Sequence, residues 1–175
     1  MPLFPARPDD LPAVAALVNS AYRGETSRQG WTTEADYIDG QRTDAASLAA
    51  DLAADPEAQL LVLRDRSDGP LLGSVWLEPV GDGVTWYLGM LTVRPDLQDR
   101  KLGRQLLAQA EAAAARRGAG RIRMTVIAIR DTLIAWYERR GYRLTGERRP
   151  FPYEDDRFGM PRRGDLEFVV LEKAL

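Results

Sequence analysis

The sequence predicts a mixed α/β domain, and three observations carry that prediction. Three β-like runs follow one another at residues 59–64, 71–77 and 85–93, separated by the turn-forming stretches DRSDGP and PVGDG, as in an antiparallel meander. A helix-period segment at 104–117 then separates the third run from a strand-period run at 121–127. A connection of that length joins parallel strands through a right-handed crossover. Apolar residues make up 45% of the 175, enough for one compact core spanning residues 1–175 and too many for a disordered chain.

The individual elements follow from local pattern. Residues 3–7 read as a short first strand. Asp9 or Asp10 is placed to cap a helix that shows Val14, Leu17, Val18 and Ala21 on one face and ends near Tyr22. Residues 24–43 are polar and glycine-punctuated, with Trp31 at their centre and a capping signal at Thr33 and Asp36, so they read as a loop with a short helix or as a mobile lid. Asp44 opens an alanine-rich helix bearing Leu48 and Leu52 that Asp55-Pro56 ends. Leu106, Leu107, Ala110, Ala113 and Ala114 form one face of the 104–117 helix, and Gly118 stops it. A further helix at 131–140 is stopped by Gly141, a strand follows at 142–148, and Leu166, Phe168 and Val170 alternate in a last strand. The segment between these strands, PFPYEDDRFGMPRRG, is irregular and of a length that is often functional.

Composition removes whole classes of chemistry. Cysteine and histidine are both absent, which excludes disulfides, thiolate nucleophiles, Cys/His zinc sites and any relay through histidine. Proton transfer is left to Asp, Glu, Tyr, Lys and backbone dipoles, with no metal expected. With 24 basic and 26 acidic residues the net charge of -2 gives no field that points to nucleic acid or an anionic membrane. The N-terminal stretch MPLFPARPDDLPAV does not resemble a signal peptide, and no segment reaches membrane-spanning length, so a cytoplasmic protein with a small partner is expected.

The stretch LTVRPDLQDRKLGR, residues 91–104, is the most informative in the chain. Thr92 and Val93 close a β-like run, Pro95 ends it, and residues 98–103 bring unpaired backbone N–H groups to a helix start, where they can hold an anion. Arg94, Arg100, Lys101 and Arg104 add positive charge nearby. Taken alone, the stretch is more commonly explained as a plain strand-to-helix connection with solvated charges.

The order of elements, together with two motifs, resembles the GNAT superfamily of acetyl-CoA-dependent N-acetyltransferases over nearly the whole chain. The family pattern Gln/Arg-x-x-Gly-x-Gly/Ala after a strand is matched by Gln98, Asp99, Arg100, Lys101, Leu102 and Gly103, with Lys101 standing where glycine is usual. The pattern Asn-x-x-Ala-x-x-Leu-Tyr-x-x-x-Gly-Phe is matched by the segment from Arg130 through Leu133, Trp136 and Tyr137 to Gly141 and Tyr142, with Arg130 in place of asparagine. The resemblance implies a GNAT fold: a central, mixed and twisted sheet of about six to seven strands flanked by helices. A splayed parallel strand pair in that sheet would hold the coenzyme.

It also implies site residues. Acetyl-CoA, as co-substrate, would meet Leu91, Thr92 and Val93 along the strand, Gln98, Asp99, Arg100, Lys101, Leu102, Gly103 and Arg104 around its diphosphate, and Arg130 and Tyr137 from the later helix. Tyr137 would protonate the departing thiolate, and an N–H near Leu91 or Thr92 would polarise the acyl carbonyl. Trp136 is expected in the core. Lysine at position 101 predicts a helical or bridge-like backbone there, since a left-handed one would strain it. A lysine-like amine of pKa about 10.4 needs about 4 to 5 kcal/mol to lose its proton at pH 7, so a base is needed. Glu34 is preferred over Asp36, Glu78 and residues 154–156, because GWTTEAD sets an aromatic wall, hydroxyls and acids together. Trp31, Glu34 and Tyr153 are the expected acceptor contacts. The acceptor is a small-molecule or peptide amine, without nucleic acid or membrane, and homodimers are frequent in the family. A non-catalytic acyl-CoA sensor or scaffold of the same fold, and a module binding another diphosphate, remain as alternatives.

Overall fold

The computed structural model of the chain describes residues 1–175, with the exception of the Asp99 side chain. Chain order runs from β1 (Leu3–Pro5) through α1 (Leu11–Tyr22) and the two-residue β2 (Ile38–Asp39) to α2 (Ala45–Ala54). The meander β3 (Gln59–Leu63), β4 (Gly73–Val80) and β5 (Thr85–Val93) comes next. After it stand α3 (Leu102–Arg116), β6 (Arg121–Ile127), α4 (Asp131–Glu138), β7 (Arg143–Pro150), β8 (Met160–Pro161) and β9 (Glu167–Ala174). Seven strands form one sheet in the order β1-β3-β4-β5-β6-β9-β7, and β2 pairs with β8 apart from it.

Alternation along the strands decides what each face of the sheet covers. On β6, Ile122, Met124 and Val126 are buried, and they join Leu77, Trp86 and Leu88 beneath Leu106, Leu107 and Ala110 of α3. The opposite face presents Leu60, Val62 and Trp76 to Val14 and Val18 of α1 and Leu48 of α2. A smaller cluster of Ile38, Ile127, Phe151 and Leu166 ties the late segment to the sheet end.

Besides a register shift of β7 against β9 between Leu144 and Arg148, two irregularities interrupt this sheet on β5. Its parallel pairing with β6 runs only from Thr85–Arg121 to Tyr87–Arg123, although both strands continue beyond it. Past Tyr87 the two strands part. On the other edge of β5, Ser74 faces Thr92 while Trp76 faces Gly89, so β5 carries one extra residue. Met90 takes it up with φ of 46°, and a bulge of this kind withdraws a residue from the ladder and bends the strand.

Several boundaries depart from expectation for local reasons. Asp10 does not cap α1 with its side chain. Its carboxylate accepts the Arg7 amide at 2.9 Å and pairs with the buried Arg64 at 2.5 Å, a stronger partner than a helix amide. Asp44 does cap α2, accepting from the Ser47 amide at 2.7 Å. The Thr33 hydroxyl accepts the Ala35 amide at 3.2 Å and meets Ser27 Oγ at 2.6 Å, which makes a polar turn where a helix start was expected. The late segment contains a short 3-10 turn, Asp156–Phe158, and β8.

Burial opposes ionisation of Asp10, but the Arg7 amide and the Arg64 and Arg7 guanidiniums together outweigh it and hold the carboxyl at about 2, below its ordinary 3.8. A depressed folded-state value contributes stability that is present above the unfolded value and lost as pH falls through the folded one. Urea midpoints should therefore fall between pH 4 and pH 2, and Asp10→Asn should remove that part of the slope.

Candidate active site

The loop between β5 and α3 is a 3-10 turn, Pro95–Arg100, that hands over to the helix at Lys101. Lys101 has φ of 62° and ψ of 8°, a left-handed conformation rather than the helical or bridge-like one expected of a lysine. The chain needs that turn to redirect the loop into α3, and with lysine in a slot that suits glycine it bears the steric cost itself. Lys101 at the N-cap makes no side-chain cap, and among the described residues no side chain bonds the first-turn amides of α3, which suits an anion. Gly103 faces the same way. A Cβ built on it would come no nearer than 3.5 Å to any protein atom, so packing within the chain does not demand a glycine, whereas close approach of a ligand to the backbone does. With Arg100, Lys101 and Arg104 exposed around it, this loop fits a diphosphate.

A groove leads from the loop to the sheet, with Val93, Gly103, Leu133, Trp136 and Tyr137 among its walls. Trp136 is half-buried, rather than enclosed in the core as expected. Its ring lies 6.0 Å from Trp31, with the Arg140 guanidinium 3.5 Å over it. Tyr137 is buried and packs edge-on against Trp136 and Tyr142. Burial pushes its phenol well above the usual tyrosine range, so the group stays protonated at any working pH.

Where β5 and β6 part lies a cavity of about 450 Å³, lined in part by Arg23, Glu34, Arg42, Glu78 and Phe151. It meets the groove at a common wall of Tyr22, Leu91, Leu133 and Tyr137, where β5 has left β6. Tyr22 donates to the Leu91 carbonyl at 2.6 Å, and Tyr87 Oη stands 3.4 Å from Thr125 Oγ1 across the opening gap.

The sequence profile of the acetyltransferase (GNAT) family matches residues 16–142. The chain belongs to the acetyltransferase (GNAT) family. No curated protein sequence matches it. Among solved structures it is similar to a putative phosphinothricin N-acetyltransferase (17% identity, 99% of this chain and 98% of that one, TM-score 0.72). A ribosomal-protein-alanine N-acetyltransferase from Brucella melitensis is also similar, with 18% identity, 100% of each chain covered and a TM-score of 0.70. So is a putative acetyltransferase from Salmonella typhimurium solved with its cofactor acetyl-CoA, with 20% identity, 100% and 94% coverage and a TM-score of 0.70. At these identities the likeness is one of fold, and the mixed seven-stranded sheet flanked by four helices is the GNAT fold.

Within this GNAT domain the residues singled out by sequence divide into those that face the groove and those that do not. Leu91, Val93, Gln98, Lys101, Gly103, Arg104 and Tyr137 line it. Leu102 is buried beneath the loop, Thr92 turns its hydroxyl to the Met90 carbonyl at 2.9 Å, and Arg100 is exposed. The side chain of Asp99 lies outside the described residues. Gln98 spends its amide on residues 31–32, accepting from the Trp31 amide at 2.9 Å and donating to Thr32 Oγ1 at 2.8 Å.

The acceptor side is arranged differently from the expectation. Glu34 lines the cavity, but both its oxygens are held, one by Arg23 Nη1 and the other by Arg130 Nη1 at 3.0 Å. Arg130 also donates to the Thr32 carbonyl at 2.7 Å, so its guanidinium faces this cluster. Trp31 lines the groove rather than the cavity. Tyr153 staples the late segment, donating to the Arg163 carbonyl at 3.0 Å and accepting the Leu166 amide at 2.7 Å, while Phe151 and Phe158 reach the cavity instead. Asp36 pairs with Arg28 at 2.7 Å on the surface. Sequence reasoning missed Tyr22, Arg23 and Arg42 at the cavity. Only Tyr22 left a signal, as a large aromatic at the end of an apolar helix face.

Removing one member of a buried ion cluster leaves the rest uncompensated. Glu34→Gln should cost about 3–5 kcal/mol in urea unfolding, which a solvated first-turn glutamate would not. Lys101→Gly removes both the left-handed strain and the ammonium, whereas Lys101→Ala removes the ammonium alone. The glycine variant should be the more stable of the two by about 1 kcal/mol.

Proposed function

We propose that this chain transfers the acetyl group of acetyl-CoA directly to the primary amine of an acceptor held at the same time, without an acyl-enzyme. One observation carries the reading: a groove that starts at the N-terminus of α3 and a separate cavity beside it share the wall formed by Tyr22, Leu91, Leu133 and Tyr137. A direct transfer needs two substrates to reach one point, and a wall common to groove and cavity supports that reading. The absence of cysteine also removes the usual thiol nucleophile for a two-step route.

The coenzyme, when bound, supplies an acyl thioester. The chain's part would be as follows. The open amides at the start of α3, with Arg100, Lys101 and Arg104, hold the diphosphate. An amide of the bulged stretch, at Leu91 or Thr92, donates to the acyl oxygen. Tyr137 presents a phenol that keeps its proton and donates it toward the leaving sulfur.

For the base we assign Glu78 rather than Glu34. Glu34 is engaged by two guanidiniums. Glu78 is, among the described residues, the cavity carboxylate without an arginine partner, and Trp76 Nε1 orients it by donating to Oε2 at 2.9 Å. Its second oxygen is left to receive a proton from an amine.

Thiol release from acetyl-CoA across an amine library tests the reading. Tyr137→Phe and Glu78→Gln should each lower kcat by about 10²-fold or more, with the KM for acetyl-CoA nearly unchanged. Coenzyme binding without turnover of any amine would favour a sensor or scaffold instead.

A further inference from the structure

Arg23, Arg42, Arg130 and Arg149 line the acceptor cavity together with Glu34 and Glu78. The arginines are not equally compensated. Arg149 is neutralised by Glu147, its Nε 2.7 Å from Oε1. Arg23 and Arg130, 5% and 7% exposed, share the single charge of Glu34. Arg42 is half-buried and has no carboxylate partner among the described residues; its backbone amide is pinned by Asn19 Oδ1 at 2.6 Å, which fixes where the side chain starts. This wall therefore carries two uncompensated positive charges. Burial, with Arg42 adding like charge, pulls the Arg23 guanidinium below its ordinary range, and the Arg23 Nε has no hydrogen-bond partner.

Excess positive charge in a partly dry cavity is costly until an anion arrives, and it repels a second cation. Glu78, on the sheet side, is the feature of the same cavity suited to an ammonium. A volume of about 450 Å³ is that of a small-molecule site. We propose that the acceptor is a small amine bearing its own anionic group, a carboxylate or a phosphorus oxyacid. The anion would sit against Arg42 and the Arg23–Glu34–Arg130 cluster, with the amine toward Glu78 and Tyr137. The proposal rests on the acetyl-transfer reading and adds the substrate class to it. Polyamines, which carry only positive charge, are the class it excludes.

The test measures kcat/KM with acetyl-CoA for the twenty L-amino acids, each beside its carboxamide, for aminomethylphosphonate beside glycine, and for spermidine. The preferred acid should exceed its carboxamide by about tenfold or more, as loss of a charge-assisted pair implies, and should exceed spermidine. The phosphonate and carboxylate arms tell the two anions apart. Arg42→Gln should cut the acid-to-amide ratio about tenfold, and Arg42→Lys should keep most of it. A carboxamide or spermidine equal to or better than every acid, or an Arg42→Gln variant that lowers acid and amide alike, overturns the proposal. Titration of the same pairs into the CoA-bound protein separates the two readings. If no amine is acetylated but an acid binds more tightly than its amide, through Arg42, the anion site stands and the acetyl-transfer reading falls. If neither rates nor binding favour an acid, the proposal falls.

Discussion

The parting of β5 from β6 after Tyr87 is the constraint on which the rest of the site depends. A sheet opened at its centre leaves backbone groups without a ladder, and buried groups of that kind must find partners or cost free energy. The chain supplies donors for the carbonyls of this stretch itself. Thr92 Oγ1 serves Met90, Tyr22 Oη serves Leu91, and Gln98 Nε2 reaches Val93 at 3.3 Å. With those carbonyls satisfied, what the gap can offer a ligand is mainly amide donors, which suits an entering molecule rich in acceptor oxygens. The left-handed Met90 belongs to the same arrangement, because only a bulge lets β5 stay paired with β4 while its other edge swings free.

The cluster at Arg130 shows how a departure from a family motif can be absorbed. Arginine at the head of α4 is longer than asparagine and carries a charge that needs an anion when buried. Glu34 and the Thr32 carbonyl provide for it, and Arg23 occupies the other carboxylate oxygen while donating to the Phe158 carbonyl at 3.0 Å. Arg23, Glu34 and Arg130 together thereby join the segment after α1, the head of α4 and the late segment. The carboxylate that sequence offered as a base is used here to hold the cavity wall together.

How much of this was readable depends on the range of the interaction involved. Helix faces and strand alternation, as at Leu106 and Ile122, are set by neighbours within a few residues, and the elements built on them lie close to where periodicity put them. The meander, the parallel crossover and the loop before α3 were readable because their residues are contiguous, as from Gln98 to Gly103. Glu34 and Arg130 are 96 residues apart, and no spacing rule pairs them. Tyr153 was misread for the same reason: its hydroxyl is used by Arg163 and Leu166, partners set by how the late segment folds back. Lys101 is a different case. Its conformation is dictated by the turn into α3, and tertiary need overrode the residue's own preference.

Residues 31–34 connect these observations, since they touch every working part of the molecule. Thr32 alone takes a bond from Gln98 of the loop before α3, gives one to the Ala21 carbonyl of α1 at 3.2 Å, and accepts at its own carbonyl from Arg130 at the head of α4. Trp31 and Glu34, on either side, face the groove and the cavity respectively. A shift of the coenzyme loop would pull on Gln98, hence on Thr32, and through Arg130 on the position of Glu34. The loop and the cavity wall are thus linked by hydrogen bonds through residues 32–34. Ordering of one on ligand binding would lower the entropy left to lose in the other, which is a physical route to cooperative binding of two substrates without any large movement of the fold.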